Sequence, residues 1–236
     1  MGNERLAALL AAEAREIGVV LTAAQIAAFL RYRALIARWN SRARLTALAD
    51  PVEVIRLHFV DSLLCLIAAP LASAVTLIDV GSGAGLPGIP LAIARPHFRV
   101  TLLEPAARKA AFLERAVAEL GLPCAVVAER AEVAGRAPQL REQFDAAVAR
   151  AVAPLATLVE WTLPFVRVGG SAVLLKGPAV DTEMTRAAQT APSLGGGTPA
   201  LLRARLAGGQ RRAVVVIPKR SPTPPIYPRQ GSRRCG

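Results

Sequence analysis

The sequence has few cysteines and no apolar run long enough to cross a membrane. Its three cysteines, Cys65, Cys124 and Cys235, are odd in number and far apart, and they fit neither a disulfide framework nor zinc-ligand spacing. The longest uncharged stretch, Leu63 to Ile78, is sixteen residues, whereas a membrane span needs roughly twenty. The N-terminus shows no signal-peptide pattern. We therefore expect a cytoplasmic protein without a structural metal or a membrane partner.

Acidic residues are scarce, and none follows Glu183. The chain has 29 lysines and arginines against 17 acidic residues, a net charge of +12. Lysine occurs only at Lys109, Lys176 and Lys219, so arginine supplies most of the charge. A strongly basic protein suggests a polyanionic partner such as a nucleic acid, although a bias toward arginine codons would give the same composition. We expect a monomer.

The first part of the chain has the pattern of helices. Thr22 and Gln25 form a predicted capping box, and Asp50 with Pro51 marks another helix start, which opens a helix running to about Ala69. Three regions are predicted: a helical region over residues 1–74, a core over 75–219, and a flexible tail rich in proline and arginine over 220–236.

From residue 75 onward, short apolar strands alternate with helices. Strands are predicted at 75–80, 100–104, 125–128, 144–149 and 171–176, followed by a strand pair at 201–206 and 213–217. Such alternation is typical of an α/β protein with a doubly wound, mostly parallel sheet, here with a closing antiparallel strand pair and an N-terminal helical extension.

A glycine-rich segment, Asp79-Val-Gly-Ser-Gly-Ala-Gly-Leu-Pro-Gly88, follows the first strand. Glycines at this place let the backbone turn sharply and approach a ligand closely. Two ligands fit the segment. Its second half satisfies the G-x-G-x-x-G dinucleotide pattern, which is weak by itself, and a glycine turn without any ligand would also give it.

Three details favour S-adenosylmethionine over a dinucleotide. Asp79 puts a carboxylate beside the loop, which would repel a pyrophosphate and attract a cationic cofactor. Pro87 removes an N–H where a phosphate would need donors, and Gly81, Gly83 and Gly85 give the spacing D-x-G-x-G-x-G. Glu104 ends the second strand and could accept both ribose hydroxyls of either cofactor.

Several segments together resemble the RsmG (GidB) family, which methylates bacterial small-subunit ribosomal RNA. The glycine segment is similar almost residue for residue. Shorter matches follow in the same order along residues 20 to 229: Trp39-Asn40, Leu45-Thr46, His58 with Asp61-Ser62, Leu103-Glu104, Arg108-Lys109, Phe112-Leu113, Arg130-Ala131-Glu132, Phe144-Asp145, Arg150-Ala151, Leu175-Lys176-Gly177 and Tyr227-Pro228-Arg229. The resemblance implies a class I, Rossmann-like methyltransferase that uses S-adenosylmethionine and modifies N7 of one guanine in 16S ribosomal RNA or the small subunit.

The resemblance also implies roles for single residues. Gly81 and Leu86 would line the cofactor, Glu104 would hold its ribose, Ala131 and Glu132 would meet the adenine, and Arg150 would complete the pocket. Three positions depart from the family. Arg44 replaces an asparagine, Pro105 replaces a serine, and Arg108-Lys109 inverts a Lys-Arg pair. The residues after Gln230 do not continue the family's pattern, so the role of the tail stays open.

Candidates for contacts with the target lie outside the glycine loop. His58, Asp61 and Ser62 are spaced to share one helix face, as a polar wall toward the target base or as a cluster that fixes the helix to the core. N7 of guanine carries no proton, so a general base is not required, and no Asn/Asp-Pro-Pro-Tyr/Phe loop of exocyclic-amine enzymes is present. Candidate RNA contacts are Arg42, Arg44, Lys176, Arg211, Arg212 and Arg229.

Two other functions remain open on the residues alone. A dinucleotide-dependent oxidoreductase would use the same glycine loop and the same acid at the end of the second strand. A non-catalytic RNA-binding module could retain the fold without the chemistry. Binding of S-adenosylhomocysteine and of NAD separates the three possibilities.

Overall fold

A central seven-stranded sheet organises the molecule. The computed structural model describes residues 2–150 and 153–229. The strands are β1 (Thr76–Val80), β2 (Arg99–Leu103), β3 (Cys124–Val127), β4 (Phe144–Arg150), β5 (Val166–Lys176), β6 (Ala200–Arg205) and β7 (Arg211–Pro218). Their order across the sheet is β3-β2-β1-β4-β5-β7-β6. The first five strands pair in parallel, and β7 pairs antiparallel with β5 and β6. The predicted fold class is confirmed.

Helices cover both faces of the sheet. They are α1 (Asn3–Glu16), α2 (Ala23–Ala43), α3 (Pro51–Val54), α4 (Asp61–Leu63), α5 (Gly88–Ala94), α6 (Ala107–Leu120), α7 (Ala131–Ala134), α8 (Leu155–Thr162) and α9 (Asp181–Thr190). One apolar core joins α1, α2, α5 and α6 to the sheet, and a second joins α8 and α9 to its opposite face. Two cores on two faces of a mostly parallel sheet are what strands alternating with helices produce.

The N-terminal helices are tied to the core by the predicted cap of α2. Thr22 accepts a hydrogen bond from the backbone N–H of Gln25, and the Gln25 side chain accepts one in return, so the capping box is present. The Gln25 amide also donates to the carbonyls of Ile93 and Ala94 at the end of α5. The cap therefore orients α2 along the sheet, so that its C-terminal end lies at the carboxyl edge of the parallel strands.

The predicted helix from Pro51 to about Ala69 is not a regular α-helix. Between α3 and α4 the chain forms a π-helix, Ile55–Val60, and α4 continues as a 3₁₀ turn, Leu64–Ile67. Hydrophobic periodicity does not reveal such a local widening, because π-turns are accommodated by tertiary contacts rather than by residue type.

The last described residues lie against the core. Sequence analysis predicted a flexible tail from residue 220, yet residues 221–229 accept hydrogen bonds from Arg136 and Arg141 along most of their length. The rest of the predicted tail, including Cys235, lies outside the described residues, and the three-part division of the chain stays a prediction. In the described part of the chain, no helix is long and apolar enough to span a membrane.

Candidate functional site

The glycine segment turns back onto the end of β2. Gly81 and Gly83 have φ angles of 76° and 58°, which glycine adopts without the strain that a Cβ would impose. The N–H groups of Gly81 and Ser82 donate to the Leu103 carbonyl at 2.9 and 3.0 Å. These bonds hold the loop across the carboxyl ends of β1 and β2, where open parallel sheets bind ligands.

Glu104 follows β2 directly and shapes the same loop. One carboxylate oxygen accepts from Gly83 N at 2.8 Å, and the other accepts from Ala106 N at 2.9 Å. A carboxylate offers about four acceptor positions, so two remain for the hydroxyl groups of a ribose. The residue is only 5% exposed, and the two backbone bonds hold its carboxylate, so such a ligand would meet an acceptor that is already fixed in direction.

A cavity of about 260 Å³ lies over this loop. Five of the predicted cofactor residues line it: Gly81, Gly83, Glu104, Ala131 and Glu132. Sequence reasoning gave no ligand role to four further lining side chains, Lys109, Glu129, Arg130 and Trp161. Arg130 lies within a quoted family segment, which could have identified it, whereas Trp161 reaches the cavity from α8 and carries no local sequence signal.

Three predicted cofactor residues lie behind the cavity. Asp79 is fully buried, and its carboxylate accepts from Gly88 N at 2.9 Å. Burial raises the pKa of Asp79 to about 7. Gly85 and Leu86 are also buried, and a Cβ on Gly85 would come within 2.5 Å of Ile89. These residues shape the loop from below. One Asp79 oxygen is thus bonded to Gly88 at the start of α5, the other is buried without a hydrogen-bond partner in the described chain, and the expected attraction of its charge for a cofactor stays a prediction.

Arg150 ends β4 and gathers the polar residues of the N-terminal helices. Its guanidinium donates to the Leu57 carbonyl at 2.7 Å and contacts an Asp61 oxygen at 3.1 Å. The other Asp61 oxygen accepts from Arg212 on β7 at 2.7 Å. Burial raises the pKa of Asp61, and the two arginines oppose that shift. We call His58, Asp61, Arg150 and Arg212 the β4 cluster.

His58 is neutral within this cluster. Burial and the adjacent Arg150 lower the pKa of His58 to about 4. His58 Nδ1 lies 3.1 Å from the Leu57 carbonyl oxygen and 3.2 Å from a guanidinium nitrogen of Arg150, and Nε2 lies 2.7 Å from the Thr46 hydroxyl. Ser62 is buried, and its hydroxyl donates to the His58 carbonyl. The predicted polar face thus exists, and every member of it already has a partner.

The π-helix explains how Arg150 reaches this position. In an α-helix the N–H of Asp61 would donate to the Leu57 carbonyl, four residues earlier. Here it donates to the carbonyls of Arg56 and His58 instead. The Leu57 carbonyl thereby loses that partner and accepts from the Arg150 side chain. The widened turn creates the acceptor that anchors the end of β4 to the helical region.

The predicted RNA contacts fall into two groups. Lys176 pairs with Glu183 at 3.0 Å, Arg212 with Asp61, and Arg229 with Glu160. The other three, Arg42, Arg44 and Arg211, are exposed, and no ion pair involves them among the residues that the structure describes. Among the predicted RNA contacts, Arg42, Arg44 and Arg211 are therefore the ones whose charge has no acidic partner in the described chain.

Comparison with known proteins places the chain among methyltransferases. The family model for rRNA small subunit methyltransferase G (GidB) matches residues 25–204. A protein from Moorella thermoacetica, named ribosomal RNA small subunit methyltransferase G, is 45% identical over 224 residues, which cover 94% of this chain and 93% of that protein. A protein of the same name from Roseiflexus castenholzii is 47% identical over 213 residues and covers 90% and 91%.

Solved structures agree on the fold. The O-methyltransferase from Bacillus cereus, in complex with SAH, has a TM-score of 0.57 and 18% identity, covering 80% of this chain and 91% of that one. The O-methyltransferase TomG from Streptomyces achromogenes, in complex with SAM, has a TM-score of 0.54 and 18% identity, covering 80% and 90%. At this identity the likeness concerns the architecture alone.

Proposed function

The chain belongs to the family of rRNA small subunit methyltransferase G, and we propose that it methylates N7 of one guanine in 16S ribosomal RNA. It is an S-adenosylmethionine-dependent methyltransferase with the α/β fold of class I enzymes. The feature of its own structure that supports this function most directly is the cavity in which Glu104 and the glycine loop converge.

The residues around that cavity fit the nucleoside end of the cofactor. Its volume lies just below the usual range of ligand pockets, about 300–1,000 Å³. Glu104 would accept the ribose hydroxyls, Gly81 and Gly83 would let the backbone approach, and Ala131 with Glu132 would bound the adenine. Arg150 would close the other end of the site. When bound, the cofactor supplies a methyl group that its sulfonium has already activated.

The β4 cluster favours an acceptor atom that carries no proton. A general base must be within hydrogen-bond reach of the proton it removes and must be free to take it. His58 has both ring nitrogens occupied and a pKa of about 4, and both Asp61 oxygens face arginines. N7 of guanine offers a lone pair and needs no base. Placement of that atom by the protein can then supply much of the acceleration.

The substrate would approach the carboxyl edge of the sheet. Arg42 and Arg44 lie at the C-terminal end of α2 on one side of the β4 cluster, and Arg205 and Arg211 lie at the paired ends of β6 and β7 on the other. All four are exposed. Arginines in such positions bind phosphates without reading sequence, so they would hold the RNA backbone across the site.

Mapping of the methylated atom tests the proposal. The purified protein is incubated with S-adenosylmethionine and either unmodified 16S RNA or unmodified small subunits, and N7-methylguanine is located by reductive cleavage of the RNA chain. We expect one guanine to be modified, in a reaction that Glu104→Gln impairs. Glu119→Gln is the matched control, because Glu119 lies on the surface of α6 and pairs only with Arg38 and Arg115 in the described chain.

Other outcomes would contradict the proposal at different levels. Methylation of an exocyclic amine or of a ribose would refute the choice of N7. No methylation of either substrate by a protein that binds S-adenosylhomocysteine would indicate a module that keeps the fold without the chemistry. Tight NAD binding in place of S-adenosylhomocysteine binding would indicate an oxidoreductase.

A further inference from the structure

The segment Ser221–Arg229, which we call the C-terminal strap, contacts the segment after α7 and also α8, and both α7 and α8 carry residues that line the predicted cofactor cavity. Four of its nine residues are prolines, which have no N–H and cannot complete a strand ladder. The carbonyl groups of such a segment need donors from elsewhere. Here the donors are two arginines in the segment that follows α7.

Arg136 and Arg141 bind the strap almost entirely through its backbone. Arg136 donates to the carbonyls of Ile226 at 2.8 Å and of Pro228 at 2.8 and 3.0 Å. Arg141 donates to the carbonyls of Thr223 at 2.7 Å and Tyr227 at 2.8 Å. A guanidinium presents five donors in a rigid fork, so each arginine fixes two or more peptide groups of the strap at once.

The strap also contacts the wall on which the adenine is proposed to lie. Arg141 donates at 2.8 Å to the carbonyl of Gly135, whose own N–H donates to the Ala131 carbonyl at 2.9 Å. A Cβ on Gly135 would lie 3.0 Å from Pro228. The strap thus packs directly on the residue one helical turn after Ala131, which lines the cavity.

The last residue of the strap, Arg229, contacts α8, which contributes Trp161 to the cavity lining. Arg229 donates to Glu160 on α8 through its backbone N–H at 2.7 Å and through its side chain at 2.9 Å. These bonds lower the pKa of Glu160. Glu160 immediately precedes Trp161, which lines the cavity. One short segment therefore connects α7 with α8, the two elements that flank the adenine side.

We propose that Arg136 and Arg141, acting through the strap, are positioning residues for cofactor binding. Neither arginine lines the cavity. Loss of their bonds to the strap would let the turn after Ala131 and the α8 wall separate, so the bound nucleoside would lose its fixed adenine wall. This inference rests on the proposed function of the cavity, but it concerns residues outside it.

The test uses Arg136→Gln in the full-length protein, because Arg136 is exposed and bonds only to strap carbonyls in the described chain. We expect S-adenosylhomocysteine to bind about fivefold or more weakly by calorimetry, the usual lower range for coupled sites. The KM for S-adenosylmethionine should rise with little change in kcat at saturation. Amide exchange of residues 131–135 should become faster. Arg167→Gln, at an exposed arginine paired with Asp145, is the matched control.

A pair of truncations gives a second measurement. A chain ending at Arg229 keeps the strap and should bind S-adenosylhomocysteine as the full chain does, whereas a chain ending at Arg220 should bind it much more weakly. Unchanged affinity and unchanged exchange in Arg136→Gln would refute the inference, even if its melting temperature fell. Failure of the unaltered protein to bind S-adenosylhomocysteine would instead refute the proposed function of the cavity.

Discussion

The two ends of the proposed site are built in opposite ways. The nucleoside end is a cavity whose main polar group, Glu104, still has acceptor positions free. The β4 cluster is closed on itself, because Asp61, Arg150 and Arg212 satisfy one another and His58 stays neutral. The cavity leaves acceptor positions open for a ligand, whereas the β4 cluster already joins α4, β4 and β7 through its own bonds.

This difference shows how one fold can bind a cofactor and place a substrate with two different sets of residues. A ligand that enters a preformed cavity gains bonds to groups that are already oriented. A guanine base brought to the β4 cluster would meet side chains that are already paired, so it could form hydrogen bonds there only by replacing existing ones. Substitutions should therefore separate the two ends: at the cavity they should weaken cofactor binding, and at the cluster they should weaken folding.

Asp61→Asn should have the largest effect. The change leaves two half-buried guanidiniums facing a neutral amide, and loss of one partner from a buried ion pair destabilises proteins by about 3–5 kcal/mol. We expect the free energy of unfolding in urea to fall by this order, and S-adenosylhomocysteine affinity in the folded protein to fall less than in Glu104→Gln, because Asp61 reaches the cofactor site only through Arg150. Asp181→Asn removes an exposed pair with Arg203 and should cost less than about 1 kcal/mol. Equal losses for the two variants would show that the cluster does not hold the fold.

Glu104→Gln should act mainly on the ligand. The amide keeps one acceptor but turns a donor toward Gly83 N or Ala106 N, and it weakens the bonds to a ribose. Hydrogen bonds to a charged group contribute about 1.5–3 kcal/mol, so calorimetry should show S-adenosylhomocysteine binding roughly 10–150-fold more weakly. Glu119→Gln should bind as the unaltered protein does. Near-native affinity in Glu104→Gln would mean that the carboxylate only supports the loop.

His58→Asn should make the free energy of unfolding depend less on pH below about pH 6.5. The folded pKa of about 4 lies below the unfolded value of 6.5, so the unfolded chain binds more protons between these values. Stability from neutral His58 is complete above pH 6.5 and is lost as the pH falls toward 4. By pH 5 the unaltered protein should lose about 1–2 kcal/mol that His58→Asn does not lose. Urea titrations at pH 7 and pH 5 measure the difference.

Asp79 acts in the opposite direction over a similar range. Its folded pKa of about 7 exceeds the unfolded value, so its contribution is complete at low pH and is lost as the pH rises through 7. Both proteins carry Asp79, and the comparison between them removes its effect. His97→Asn, at the exposed second histidine, is the control. A slope as steep in His58→Asn as in the unaltered protein would refute the assignment.

The smallest effects are expected at the RNA surface. Arg42→Gln with Arg44→Gln, and Arg205→Gln with Arg211→Gln, should each reduce the slope of log affinity against log salt for 16S RNA, by about 0.7–0.9 for each phosphate contact that is lost. Arg99→Gln with Arg167→Gln, at the opposite edge of the sheet, should leave the slope unchanged. If neither pair at the carboxyl edge alters it, the RNA approaches from another side. Cofactor affinity should stay constant throughout.

Much of the architecture could be predicted because it depends on local patterns. Strand and helix alternation fixed the sheet class, and the capping box of Thr22 and Gln25 and the cap at Asp50 were visible as residue types. The spacing of Gly81 and Gly83 before a strand-end acid indicated the cavity. These signals are short in sequence, and the physics behind them acts within a few residues.

What could not be predicted depends on contacts between distant segments. The sequence suggested ligand contacts for Asp79 and Arg212, but it did not show that Asp79 also binds the Gly88 N–H or that Arg212 pairs with Asp61. The strap looks flexible by composition, yet arginines some ninety residues earlier bind it. Arg44 shows the limit of resemblance: it has φ 48°, a left-handed conformation that the family's asparagine tolerates better than arginine does.

The π-helix has a consequence for how this segment tolerates insertions and deletions. A π-turn accommodates one residue more than an α-helical turn without rotating the flanking helices. Removal of one residue between Ile55 and Val60 would therefore shorten the segment and leave α3 and α4 in phase, unlike a deletion in α2 or α6, which would rotate the following face by about 100°. In the regular α-helix the Leu57 carbonyl would accept a backbone N–H, so Arg150 would lose that acceptor. The number of residues in this segment thus determines whether the Leu57 carbonyl is available to Arg150.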